Sequence, residues 1–422
     1  MKPKFVIVLL VLFTTNILGQ KGDYFLGSTI YPFVQYDKSV ISFPGDSTIL
    51  NDIYTRIDSL MLFGEGKINI VHIGGSHIQA DMYTHVIRKE LQTLQYDMNG
   101  GRGMLFPYRM AKTNNPSNYS VRYSGSWESC KNTQRNRSCE LGLMGYAITT
   151  SSKTASITIN PNNDTEIGYR FSKVSIFHNP TAYKFLTRVA DTVYYGSYDS
   201  INGCSIFILP ELEKIKIQFF QNDTIESLLA VYGISLDTDE PGIVYNSVGV
   251  NGAKLVSYLE SEFYSQHLSA IKPDLIVFSL GTNDANTKYF DRIKFRNEYI
   301  QLIEKSKLAA PDAVILITVP NDCYYYKRYV NKNTPVMQKE IFNIAREYNY
   351  GVWDFYTIMG GLNSSQTWYN YGLMKYDRIH FNRAGYNLKA NLFTTAFLRG
   401  WEQNLTARTA EYFNKKEITA EK

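Results

Sequence analysis

The sequence predicts an α/β fold, a parallel sheet with helices on both faces, carrying an inserted all-β sandwich. Three observations carry this expectation. The run INIVHI, residues 68–73, passes through Gly74 and Gly75 into a segment of helical period. The runs DLIVFSLG (274–281) and AVILITVP (313–320) are apolar almost throughout, as strands buried on both faces must be, and each precedes a helical segment. Between residues 108 and 239 helical periodicity vanishes and short β-rich runs replace it.

Taken in order, the chain begins with Lys2 and Lys4 before FVIVLLVLF, with a small residue, Gly19, further on. A basic start and a short apolar run describe a secretory signal over residues 1–20, so the mature protein is expected in the periplasm or at the cell surface. The apolar run is too short for a good membrane span, and no other stretch is long enough, so no stable membrane insertion is expected after cleavage. Residues 52–62 can form a helix beside the first strand. After Ser76 a helix is expected from Met82, Val86, Ile87, Leu91 and Leu94, which share one face at a 3.6-residue period.

The runs SITIN, YRFSKVSIF, YKFLTRV, CSIFILP, KIKIQFF and LLAVYGISL are separated by Asn, Asp, Gly and Pro, a spacing expected of a β-sandwich over 108–240. From residue 241 the α/β rhythm resumes. IVYNSVGVNGA reads as a strand and a glycine loop, 254–270 as a helix, 292–308 as a helix, 335–348 as a helix, GVWDF as a short strand and 383–399 as the last helix. The expected organisation is a discontinuous α/β domain (21–107 and 241–401), the insert, and a polar tail (402–422).

A hydrophobic fraction of 44% is ample for a sizeable core. A net charge of +5, spread over 44 basic and 39 acidic residues, is too weak to argue for nucleic acid. The 33 tyrosines suit sheets as readily as sugar-stacking surfaces. Cys130 and Cys139 are the natural candidate pair for a disulfide in an exported protein. There is no C-x-x-C and the six histidines are scattered, so neither a metal nor any other cofactor is expected.

Chemistry is expected at the carboxyl ends of the strands. Ser76 follows two glycines at a strand end, where it can be a nucleophile or simply a helix cap. A serine nucleophile needs a base, and elimination leaves one histidine. His72 lies within a strand, His77 adjoins Ser76, His85 and His267 lie within helices, and His178 lies in the insert. His380 lies in YDRIHFNRAGY before the last helix, with Asp377 three residues earlier. Oxyanion donors can come from Asn283, in the GTND that ends the most apolar strand, and from the backbone N–H of Gly252 in VGVNGA. Asp284 adjoins Asn283 without an assigned role.

The order GGSHI, Gly252, GTND, D-x-x-H resembles the four blocks of SGNH (GDSL-like) hydrolases, over residues 67–107 and 241–400. The resemblance implies a flavodoxin-like three-layer fold, Ser76 as nucleophile, His380 and Asp377 as its partners, and an oxyanion hole of Gly252, Asn283 and the N–H of Ser76. One departure is plain: Gly75 stands where the first block usually carries Asp. SHIQAD, Arg88, GGRGMLFP, the β-rich insert and PGIVYNSVGVNGA further resemble the peptidoglycan O-acetylesterase branch, whose inserted domain is carbohydrate-binding-module-like. That resemblance implies an O-acetylated glycan as substrate, peptidoglycan in that branch. The alternatives are a deacetylase of another polysaccharide, a lipid acylhydrolase, and a glycan-binding protein without catalysis. Trp127 is a candidate sugar platform within the insert.

Overall fold

Alternation along the central strands builds two cores. The computed structural model describes residues 29–420 apart from 97, 163–166 and 222–226, so the expected signal at 1–20 lies outside the described residues. In β2 (Lys67–Gly74), Ile68 and Ile70 enter one core while Val71 and Ile73 enter the other. The same split recurs in β4 (Leu275–Ser279), with Leu275 and Val277 opposite Ile276 and Phe278. It recurs in β5 (Val314–Thr318), with Leu316 opposite Ile315 and Ile317. With side chains alternating at a period of two, apolar residues at every position bury both faces of the sheet.

The sheet is completed by β1 (Ile41–Ser42), β3 (Gly242–Gly249) and β6 (Gly351–Trp353), in the order β1-β6-β5-β4-β2-β3. Five strands are parallel, but β1 pairs antiparallel with β6, so the expected purely parallel sheet is mixed. The exception is a two-residue edge strand from the N-terminal segment, whose direction no crossover helix dictates. On one face lie α1 (Asn51–Phe63), α3 (Tyr83–Gln92) and the C-terminal helix α9 (Arg383–Ala420). On the other lie α5 (Tyr264–Ile271), α7 (Arg292–Ala309) and α8 (Thr334–Tyr348), with two very short helices beside them, α4 (Leu255–Leu259) and α6 (Thr282–Ala285).

Two helices differ from the sequence reading. The helix expected over 254–270 breaks between α4 and α5, where the Phe263 N–H bonds the Leu141 carbonyl and the Glu262 carboxylate accepts from the Leu141 N–H. A long-range docking contact there replaces continued helix. The segment expected as a polar tail continues α9 to Ala420. Trp401 is 7% exposed and its indole donates to Asp58 on α1 at 2.7 Å, while Arg408 pairs with the same carboxylate.

All six expected β-rich runs are strands, divided between two sheets. One has five strands, in the order 192–195, 184–189, 215–220, 154–160, 120–124. The other has seven, and its members include Gly101–Leu105, which the sequence reading placed in the α/β part. The β-rich segment is not sealed off. Val71, Ile73 and Val248 share one continuous core with Met104, Tyr146, Ile157 and Ile176. The chain leaves and returns at one place, where Ile243 N–H bonds the Met98 carbonyl at 2.8 Å. A Cβ on Gly242 would come within 2.5 Å of the Gly100 nitrogen, so this crossing needs glycine on both passes. Cys130 and Cys139 are joined in a disulfide.

Candidate active site

In the sheet order, β2 lies between β3 and β4, the strands that follow it on either side, so the crevice at their carboxyl ends is a topological switch point. Ser76 follows β2 as the first residue of a four-residue helix, α2 (Ser76–Gln79), capped by Gly75. Its hydroxyl caps no backbone N–H there. Ser76 Oγ instead lies 2.8 Å from His380 Nε2. His380 Nδ1 lies 2.8 Å from Asp377 Oδ2. The other carboxylate oxygen of Asp377 accepts the backbone N–H of Ile379 and of His380, each at 3.0 Å.

The Asp377–His380 turn is made possible by its backbone. Arg378 sits at φ +52°, a left-handed conformation that L residues seldom adopt. Its guanidinium is held over the Tyr324, Tyr369 and Tyr376 rings at 4.3 to 5.7 Å and donates to the Lys327 carbonyl. A bridge between Met374 and Phe381 closes the loop. Burial alone would raise the Asp377 carboxyl. The His380 ring and the two backbone N–H groups outweigh it and hold the group well below the usual carboxylate range. Asp377 is therefore a fixed anion beside Nδ1.

Asn283 lies at the start of α6, which follows β4. Its amide donates one hydrogen to the Ala253 carbonyl at 3.0 Å, leaving a second. Gly252, after β3, is exposed at φ +84°, so its N–H is turned by a conformation that a side chain would oppose. The Gly75 departure has a local reason: a Cβ there would lie 3.2 Å from the Asn283 amide nitrogen. Gly75 leaves that amide room beside Ser76.

Asp284 does not merely adjoin the site. One of its oxygens accepts the Leu255 N–H at 3.2 Å, so it anchors the turn that carries Gly252, and the other is buried without a partner. The remaining histidines divide as follows. His72 lies in the core between Tyr245 and Ser279, at 2.6 Å from each hydroxyl. His77 turns away from Ser76 onto the Tyr386 hydroxyl at 2.9 Å, with its ring 5.3 Å from that of His380. His178 bonds the Asn179 carbonyl and Ser205, and His267 packs against Phe177, Tyr232 and Phe263. His85, on α3, lies 3.5 Å from Arg88. Trp127, half-buried, packs edge-on to Phe219 and donates its indole N–H to the Ser124 carbonyl at 2.9 Å.

Two supporting residues escaped the sequence reading. Gln79, 1% exposed, accepts the Asn251 N–H at 2.7 Å and so steers the Gly252 turn. Asp81 accepts from Arg88 and Arg102, all three buried, and ties α3 to β3 through Ser247. Burial would raise its carboxyl, but the charges of Arg88 and Arg102 bring it far below the carboxylate range. The available signal was an amide and a carboxylate within SHIQAD, directly after the candidate nucleophile. Among the described residues no cluster of His, Cys, Asp and Glu could hold a metal, and no helix is long and apolar enough to cross a membrane.

Residues 224–388 match the GDSL-like Lipase/Acylhydrolase family, a range that holds Gly252, Asn283, Asp377 and His380 but not Ser76, which the β-rich segment separates from them. Among solved structures, a peptidoglycan O-acetylesterase is similar in fold, with a TM-score of 0.71 and 21% identity, over 86% of this chain and 99% of that one. Likeness to a family two carbohydrate esterase from Cellvibrio japonicus is slight, with a TM-score of 0.28 and 10% identity over 68% of this chain and 99% of that one. The same holds for a GDSL-like lipase from Bacteroides thetaiotaomicron, with 0.28 and 18% over 37% and 76%. No curated protein matches the chain.

Proposed function

We propose that this chain, a carboxylic ester hydrolase of the GDSL-like kind, is an exported serine esterase that removes O-acetyl groups from a glycan, with peptidoglycan as the substrate. The observation that carries the reading is the unbroken path from Ser76 Oγ through His380 to Asp377, with 2.8 Å at each link. In this reading His380 Nε2 takes the serine proton as Oγ attacks the ester carbonyl carbon. Asp377 stays ionised, orients the ring through Nδ1–H and stabilises the imidazolium. The N–H groups of Ser76 and Gly252 and the free amide hydrogen of Asn283 receive the oxyanion. Collapse of the tetrahedral intermediate expels the sugar oxygen, which takes the proton from Nε2 and leaves the acetyl group on Ser76. Water, giving its proton to His380, then releases acetate and restores the serine.

Two observations support a sugar ester over a long acyl chain. The open groove beside Gly252, about 870 Å³, is lined by polar side chains such as Asn132, Thr133, Arg135 and Lys254. A solved structure similar in fold over 99% of its own length, at a TM-score of 0.71, is a peptidoglycan O-acetylesterase. The β-rich segment, 108–240, supplies part of that groove and is assigned here to seating the polymer.

The test is acetate release from O-acetylated peptidoglycan, run beside acetylated xylan. Wild type should release acetate faster from peptidoglycan. Ser76→Ala and His380→Ala should each lower kcat by about 1,000-fold or more, and Asp377→Ala by less. Preference for xylan would give the substrate to another polysaccharide. Near wild-type turnover in folded Ser76→Ala would reject the nucleophile.

A further inference from the structure

Ser76 and His380 are 304 residues apart in the chain, and each stands on a short turn. A 2.8 Å contact between two such side chains depends on what fixes one turn to the other. The residue that follows each of them supplies a fixture. His77 follows Ser76 on α2, and Phe381 follows His380 just before α9. Both side chains are buried, and their rings lie 5.8 Å apart.

Tyr386 closes the cluster from the first turn of α9, where its N–H bonds the Asn382 carbonyl at 2.9 Å. It is 3% exposed, with its ring 5.7 Å from that of His77 and 5.5 Å from that of Phe381. Its hydroxyl lies 2.9 Å from His77 Nδ1. Ring packing tolerates sliding, whereas a hydrogen bond fixes both a distance and an angle. This bond is therefore the directional link in the cluster. It joins the neighbour of the nucleophile to the helix that starts just after the base. The His77 ring also backs onto that of His380 at 5.3 Å. Burial, with the charges of Lys389, His380 and Lys375, holds His77 well below the ordinary imidazole range, against the pull of Asp377. His77 thus stays neutral while His380 gains and loses a proton, and it adds no charge to the ring it supports.

Resting on the esterase reading above for the roles of Ser76 and His380, we propose that His77 and Tyr386 are positioning residues, whose hydrogen bond holds the Ser76 turn and the His380 loop at attack distance. Neither is assigned a contact with substrate. Losing the bond loosens the link between Oγ and Nε2, which acts on kcat and leaves KM to the groove.

The experiment is a double-mutant cycle on the full chain with p-nitrophenyl acetate. Tyr386→Phe removes the hydroxyl and keeps the ring. It should lower kcat about ten-fold with KM changed by less than about two-fold. His77→Leu should lose about as much, and the double variant no more than about two-fold beyond either single, because all three lack the same bond. A second readout needs no turnover: the low-field proton resonance of His380 Nδ1–H, assigned by its loss in His380→Ala. It should be sharp in wild type and broadened in Tyr386→Phe at the same pH and temperature, a change that a purely structural tyrosine would not cause. His77→Leu keeps both readouts open if Tyr386→Phe does not fold. Losses that multiply in the double variant, a raised KM at unchanged kcat, or an unmoved resonance in the folded single variants overturns the proposal. A wild type that cleaves no ester fails the esterase reading, and the resonance still decides the clamp: broadening in Tyr386→Phe upholds it.

Discussion

Asn283 and Asp284 are neighbours with separable roles. Asn283 spends one amide hydrogen on the Ala253 carbonyl and has one to give to an oxyanion. A hydrogen bond that strengthens as charge develops acts on kcat, so Asn283→Ala should lower kcat about 100- to 1,000-fold with KM little changed. A raised KM with kcat unchanged would make it a ground-state contact. Asp284 is different. Burial pushes its carboxyl up to about 6, against the Leu255 N–H and the Lys254 charge. Its folded value lies above its unfolded one, so its favourable contribution is complete below about pH 4 and is lost as pH rises through about 6. At pH 8 the buried anion then costs about 3 kcal/mol. Asp284→Asn keeps an acceptor for Leu255 and loses the charge. It should melt higher than wild type at pH 8, by an amount equivalent to about 1–3 kcal/mol, and the gap should close toward pH 4. Thermal melts at the two pH values check this, and a pH-independent gap would show that the charge is not the cause.

At the scale of the element, α9 shows how a helix survives past the point where its sequence looks uncommitted. Residues 402–422 are polar enough to suggest a tail. Trp401 is buried, and its indole and Arg408 share the Asp58 carboxylate on α1. Packing of the indole carries most of the stabilisation, because the Arg408 side chain is 37% exposed and its ion pair is screened. Trp401→Ala should therefore cost about 3–5 kcal/mol in urea unfolding and Arg408→Ala about 1 kcal/mol or less. Comparable losses would place the stabilisation in the ion pair. The Asp377–His380 loop is a second such element. Its turn depends on Arg378 at positive φ, held there by three tyrosine rings from outside the turn itself or from its own flank.

For the whole molecule, the continuous core decides what can be cut. The chain exits and re-enters the α/β part at adjoining glycines, which invites removal of 108–240 and its replacement by a short linker. The interior forbids it. Val71, Ile73 and Val248 of the central sheet pack in the same core as Tyr146, Ile157 and Ile176. Gly101–Leu105 would also lose its partner strand, Leu229–Asp237. At about 25 cal/mol per Å² of apolar surface exposed, a loss of several hundred Å² exceeds the few kcal/mol a domain has to spare. The excised protein should be insoluble or lack a cooperative melt by circular dichroism. A soluble excised protein with a cooperative transition near that of wild type would show that the α/β part is independent.

The sequence by itself determined the elements whose pattern is local. Short continuous apolar runs bounded by turn residues and rich in Val and Ile favour strands covered on both faces, and β2, β4 and β5 lie where those runs are. The six β-rich runs are strands because their apolar residues cluster or alternate over short lengths between turn residues. The candidate site was legible for a similar reason: Ser76, Gly252 and Asn283 each follow a recognisable strand end, parallel strands bring their carboxyl ends to one edge, and His380 precedes the last helix with Asp377 three residues earlier. Tertiary structure alone decided what depends on partners far away in the chain. The short β1 joins as an antiparallel edge because the Trp353 strand offers it a ladder, not because two residues specify a strand. The helix expected over 254–270 breaks because Leu141 claims the backbone at Phe263. Gln79 and Asp81 gain their roles from Asn251, Arg88 and Arg102. A hydrogen bond or a buried ion pair between distant residues leaves no period in the sequence, so only the folded chain reveals it.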